Sequence, residues 1–165
     1  MRESTRVLLD TNIYGLVFTA AENVSLPDLL LGKHFVVCGS AVIRQELRDI
    51  PKNVKVKGTK LRRATLGLYD SFVGEKRNYS VTEFIETLAG RYNQNYSGTH
   101  PFPELRNDFL IVATASLHGV DIVVSNDEKT MASPQAVHAY NIANEKLELH
   151  TPTFYRLGDF KSLLK

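Results

Sequence analysis

Short apolar runs alternate with stretches of helical periodicity along the chain. Arg6-Val7-Leu8-Leu9-Asp10 predicts a buried strand, followed by a helix through Ile13, Leu16 and Val17. Ser25 as N-cap and Gly32 as stop bracket a short second helix. A second strand is predicted over 34–38, and Ser40 caps a helix running to about Ile50, just before Pro51. Residues 51–58 read as a loop, followed by helices over about 60–74 and 80–95; Ser80-Val81-Thr82-Glu83 opens the latter with capping-box spacing. Beyond Pro101 and Pro103 a helix is predicted over about 104–117, ended by Gly119. Asp121-Ile122-Val123-Val124-Ser125 predicts a third strand, Ser133-Pro134 another helix and Leu147-Glu148-Leu149 a fourth strand, with Thr151-Pro152 capping a terminal helix. Strands separated by helices require crossovers, which implies an α/β fold with a parallel sheet and helices on both faces.

The length of 165 residues suits one domain, and no repeat, low-complexity tract or linker divides it, so residues 1–165 are expected to form a single domain. The lone cysteine, Cys38, excludes an internal disulfide and a Cys-rich zinc module, and it reads as a small core residue. The longest apolar run without charge, 109–117, is far below the ~20 residues of a membrane span. No secretory segment precedes the first strand, so the expected location is cytoplasmic. The phosphate-binding glycine patterns of nucleotide-triphosphate enzymes are absent.

Four carboxylates change the picture. Parallel sheets place ligand sites beyond the carboxyl ends of their strands. Asp10 ends the first strand, and Asp127 lies two residues past the third. Taken singly, each is explained by an N-cap or an Asx-turn. Glu46, however, follows Val42 by four residues and Ile43 by three, and so projects from an apolar stripe. Asp108 repeats this arrangement between Leu105 and Ile111-Val112. Inward-facing carboxylates are costly to ionise unless paired or metal-bound, and oxygen-seeking Mg²⁺ or Mn²⁺ relieves the repulsion.

The sequence here resembles the PIN-domain ribonucleases, a family that includes the toxin halves of many toxin–antitoxin pairs. The matching segments are Val7-Leu8-Leu9-Asp10-Thr11-Asn12, Ser40-Ala41-Val42-Ile43-Arg44-Gln45-Glu46-Leu47, Asn107-Asp108-Phe109-Leu110-Ile111-Val112-Ala113-Thr114-Ala115 and Val123-Val124-Ser125-Asn126-Asp127. The resemblance implies a three-layer α/β/α sandwich, Rossmann-like, around a parallel sheet of four to five strands. It also implies Mg²⁺- or Mn²⁺-dependent cleavage of single-stranded RNA, with Asp10, Glu46, Asp108 and Asp127 as metal-site acids. Ser125 would hold the hydroxyl position that orients them, and Asn12 the polar position after the first aspartate. An antitoxin-like protein and a second copy of the chain are the protein partners the resemblance admits. The chain departs from the short toxin-like pattern over residues 51–100, which are long and basic, and in having Met131 where an aromatic residue often stands.

With the four acids set aside, 14 of the 18 acidic residues remain against 20 basic ones, a balance suited to holding RNA phosphates around a negative centre. Arg44, Arg48, Lys52, Lys55, Lys57, Lys60, Arg62 and Arg63 concentrate the positive charge beside Glu46, as a solvated face or as an RNA contact. Tyr92 and Tyr96 read as helix-end packing or base-stacking groups, and His100 as a solvated loop histidine. Two other classes compete: a non-catalytic RNA- or protein-binding module of the same fold, and a phosphatase using Asp10 as nucleophile. The phosphatase pattern lacks its second aspartate, because Asn12 stands there.

Overall fold

The computed structural model describes residues 4–19, 26–31 and 34–164. Parallel strands form the centre: β1 (Thr5–Leu9), β2 (Phe35–Ser40), β5 (Asn78–Tyr79), β6 (Ile122–Val124) and β7 (Thr153–Tyr155), in the order β5-β2-β1-β6-β7. All four pairings are parallel, with Leu8 opposite both Cys38 and Val123. The inner stretches of the middle strands are apolar because both faces are covered, and Val7, Leu8, Cys38, Val123 and Val124 are fully buried.

The chain builds outward from β1 to β2 and β5, then crosses back to add β6 and β7 on the other side. Right-handed crossovers put α1 (Thr11–Thr19), α2 (Leu26–Leu31), α3 (Ala41–Arg48) and α4 (Leu61–Val73) on one face. They put α5 (Glu83–Asn95), α6 (Phe102–Leu117) and α7 (Pro134–Lys146) on the other, and α8 (Leu157–Leu164) packs against α2. This is the expected α/β/α sandwich with a parallel sheet. The strand order reverses between β1 and β6, which opens a crevice at their carboxyl ends. Packing of α4 on β2 depends on Gly39: a Cβ there would lie 2.1 Å from the Tyr69 hydroxyl. Among the described residues, no helix is long and apolar enough to cross a membrane.

Most predicted elements are present, with Ser40 and Ser133 capping α3 and α7 through their hydroxyls. Helix α2 lies where a short helix was expected, while its assigned cap and stop, Ser25 and Gly32, fall outside the described residues. Four expectations are corrected. Residues 51–58 are not simply a loop: β3 (Lys55–Val56) and β4 (Thr59–Lys60) form a hairpin, turning through Lys57 and Gly58 at φ 53° and 80°. The cap of α5 is Thr82, not Ser80, since the Thr82 hydroxyl accepts from the Ile85 amide at 3.3 Å. Leu147-Glu148-Leu149 is no strand. Glu148 adopts φ 56° and the Leu149 amide bonds back to the Asn144 carbonyl, so the segment closes α7. Thr151-Pro152 then lead into β7, where the missing proline N–H costs nothing, and the terminal helix starts only at Leu157.

Candidate active site

Asp10 leaves β1 at the crevice and is only 6% exposed. An N-cap carboxylate would reach the second or third amide of the helix. Asp10 instead accepts the adjacent Thr11 amide on Oδ1 at 2.8 Å and the Ser125 hydroxyl on Oδ2 at 2.7 Å. Ser125, just past β6, also accepts the Asp127 amide at 3.1 Å, so one buried hydroxyl ties both strand ends together. Helix α3 brings in Glu46, whose Oε1 accepts the Thr11 hydroxyl at 2.8 Å. Helix α6 supplies half-buried Asp108, whose Oδ2 accepts the Thr130 hydroxyl at 2.7 Å. The same hydroxyl contacts Asp127 Oδ2. The other Asp127 oxygen accepts the Lys129 and Thr130 amides, so Asp127 forms an Asx-turn and faces Asp108 at once. Asn12 is exposed in the first turn of α1 and makes no hydrogen bond to these acids.

The acids feel one another. Burial pushes the Asp10 carboxyl up to about 6; the Ser125 and Thr11 hydrogen bonds oppose this, and the charges of Glu46 and Asp127 add to it. Burial likewise raises Asp108 to about 7, against the Thr130 hydrogen bond and with the charges of Asp10, Asp127 and Glu46. Burial also favours the neutral form of Asp127. There the Thr130 hydroxyl and the Thr130, Lys129 and Met131 amides outweigh it and hold the carboxyl below its ordinary value. Among the described residues, no Lys or Arg forms an ion pair with any of the four.

An all-oxygen, anionic and cation-free donor set fits the chemistry of Mg²⁺ or Mn²⁺. The acids stand as hydroxyl-linked groups, and among the described residues no three Asp, Glu, His or Cys side chains close on a common point near enough to hold one ion. A cavity of about 300 Å³ opens beside Glu46, walled by Val42, Gln45, Val81, Arg106 and Asn107. A larger hollow, about 530 Å³, lies around the amino ends of β1, β6 and β7, away from the acids.

Thr11 and Thr130 were not singled out from sequence. Thr11 is flagged only by standing next to Asp10, and Thr130 only by its three-residue spacing from Asp127. Tyr92 is buried against Phe109 and Tyr140, which rules it out as a base-stacking platform, and Tyr96 packs on Phe109. Arg44 is engaged by Asp70 through two hydrogen bonds of 3.0 Å, which removes it from the freely available basic residues.

No family model matches the sequence, and no curated protein is similar enough to match. Among solved structures, a chain of VapBC2 from Rickettsia felis, bound to a DNA fragment from their promoter, is similar at a TM-score of 0.57 and 15% identity, over 92% of this chain and 98% of that one. A chain of FitAcB from Neisseria gonorrhoeae has a TM-score of 0.46 at 14% identity, over 90% and 96% of the two chains. The fold is PIN-like, as the four short segments implied.

Proposed function

We propose that this protein is a metal-dependent endoribonuclease of the toxin-like PIN type, hydrolysing phosphodiester bonds of single-stranded RNA. The observation that carries the reading is the electrostatic coupling of Asp10, Glu46, Asp108 and Asp127 at the strand-order reversal, with no basic partner among the described residues. A structural acid cluster would be expected to acquire an arginine or lysine, whereas one that binds a cation is left without. These four residues would hold Mg²⁺ or Mn²⁺, which when bound supplies charge neutralisation at phosphorus and activation of the attacking water. The chain's own part is positioning: Ser125 fixes Asp10, Thr11 fixes Glu46, and Thr130 fixes Asp108 against Asp127. Water adds to phosphorus as the bond to the 3′-oxygen breaks, leaving a 5′-phosphate and a 3′-hydroxyl. The likeness to a chain of VapBC2 supports extending the reading to an antitoxin-like partner.

Asp10→Asn tests this. Mn²⁺-dependent cleavage should fall by at least about 100-fold with the circular dichroism spectrum retained; full activity in the variant would remove the proposal. A second reading is favoured by the finding that, among the described residues, no three ligating side chains lie near enough to share an ion: a PIN-fold module that binds RNA or protein without turnover. Wild-type protein that binds RNA but cleaves none with Mg²⁺, Mn²⁺ or Co²⁺ would establish it instead.

A further inference from the structure

The chain carries a second charged surface, of opposite sign. Lys52, Lys60, Arg62, Arg63 and Leu66 line a concavity of about 440 Å³ where the β3–β4 hairpin meets the start of α4. Among the described residues none of its four cations is paired with a carboxylate. The helix they surround is poorly served by its own sequence. Its N-cap, Lys60, makes no side-chain cap, and no acidic residue stands in its first turn, where Arg62 and Arg63 face the positive end of the dipole. Local choices that oppose helix stability while converging on one hollow suit an anion bound there. The surface is also tied to the helix that carries Glu46: Arg62 donates to the Arg48 carbonyl at 3.3 Å, two residues after Glu46 on α3.

We infer that this concavity binds the phosphodiester backbone of single-stranded RNA, next to the phosphate presented to the acids; the inference rests on the nuclease reading above. The two surfaces are complementary in purpose. A centre of four carboxylates repels a polyanion, and a strand held there needs compensating contacts on adjoining phosphates. The lining favours a strand over a folded protein, since among the described residues Leu66 is its only apolar side chain and protein interfaces centre on apolar cores.

The test is anisotropy of a labelled 12-nucleotide single-stranded RNA in EDTA, where binding is read without cleavage. Wild type is compared with Lys52→Gln/Lys60→Gln/Arg63→Gln and with a control triple carrying the same charge change elsewhere, Lys76→Gln/Arg91→Gln/Lys146→Gln. Arg62 is kept because it bonds to α3. Three lost phosphate contacts should flatten the slope of log affinity against log salt by about 2 and weaken binding at 100 mM salt by about 10-fold or more. The control should retain at least half the wild-type affinity. Equal losses in both triples, or none in the first, would overturn the inference. So would a first triple that binds RNA normally but loses poly-glutamate, which would mark the site as one for acidic polypeptide. The two readings fail separately. If Asp10→Asn abolishes cleavage while the first triple binds normally, only this surface falls. If no cleavage is found but the first triple loses RNA, only the nuclease reading falls.

Discussion

Helix α6 takes part in two polar networks that could hardly be more different in character. Near its carboxyl end, Tyr92 donates to the Asn144 side-chain carbonyl at 2.7 Å, and the Asn144 amide donates to Ser116 at 3.0 Å and Thr151 at 2.9 Å. This network is neutral and its donors match its acceptors. Near its amino end, Asp108 joins Asp10, Asp127, Ser125 and Thr130 in a network rich in carboxylate oxygens and poor in donors. Polar groups buried with matched partners specify a fold, whereas anions gathered without cations oppose it. The first network is therefore part of what holds α5, α6 and α7 together, and the second is tolerated by a scaffold that other contacts stabilise.

The largest test of this contrast is Asn144→Ala. It removes the Asn144 partner from the buried Tyr92 and Ser116 hydroxyls, leaving them each other at 3.2 Å, and should cost about 3 kcal/mol in urea unfolding, with cleavage per folded molecule unchanged. A cost below about 1 kcal/mol would show that the network does not hold α5, α6 and α7 together.

Asp10→Asn should move stability the other way. A carboxyl raised from 3.8 to about 6 binds protons more tightly folded than unfolded. The contribution of Asp10 to folding stability is therefore highest below about pH 4, declines as pH rises to about 6, and levels off above. The asparagine carries no charge and presents one acceptor oxygen and one donor group, as the protonated carboxyl does, so it escapes that decline. In EDTA the variant should be more stable than wild type by about 2 kcal/mol at pH 8, with the gap closing by pH 4. Added Mn²⁺ should narrow the gap at pH 8 by stabilising only the wild type. A variant that is less stable at pH 8 would mean that the charge of Asp10 supports the fold.

The legibility of these two regions differed for physical reasons. The acids could be read because a charged residue on an apolar stripe conflicts with its surroundings, as Glu46 and Asp108 do, and because Asp10 and Asp127 sit where strands end. Their hydroxyl partners could not, since serine and threonine are unremarkable at turns, and only the fold brings Thr130 to Asp108 across 22 positions. The β3–β4 hairpin escaped notice because its strands are two residues long and carry no alternation. Leu147-Glu148-Leu149 misled for the opposite reason. Its alternation is genuine, but a left-handed Glu148 spends the segment on closing a helix.

The smallest effect belongs to Thr130→Val, and it decides whether the hydroxyl links are functional or incidental. Valine keeps the shape and removes the single proton that Thr130 presents to Asp108 and Asp127. The Asx-turn survives, because the Thr130 amide still donates to Asp127 Oδ1. With its hydrogen bond gone, Asp108 should lie still higher than about 7, since that bond is what opposes burial. Stability in EDTA at pH 8 should fall by about 1 kcal/mol, and less at pH 5, where Asp108 is protonated in both proteins. Calorimetric Mn²⁺ affinity should drop by about 10-fold at pH 7, because binding must displace a more tightly held proton and engage a less well oriented carboxylate. A variant with unchanged Mn²⁺ affinity but the same loss of stability would reduce Thr130 to a turn residue, and the acid edge would then differ from the Asn144 network in charge alone.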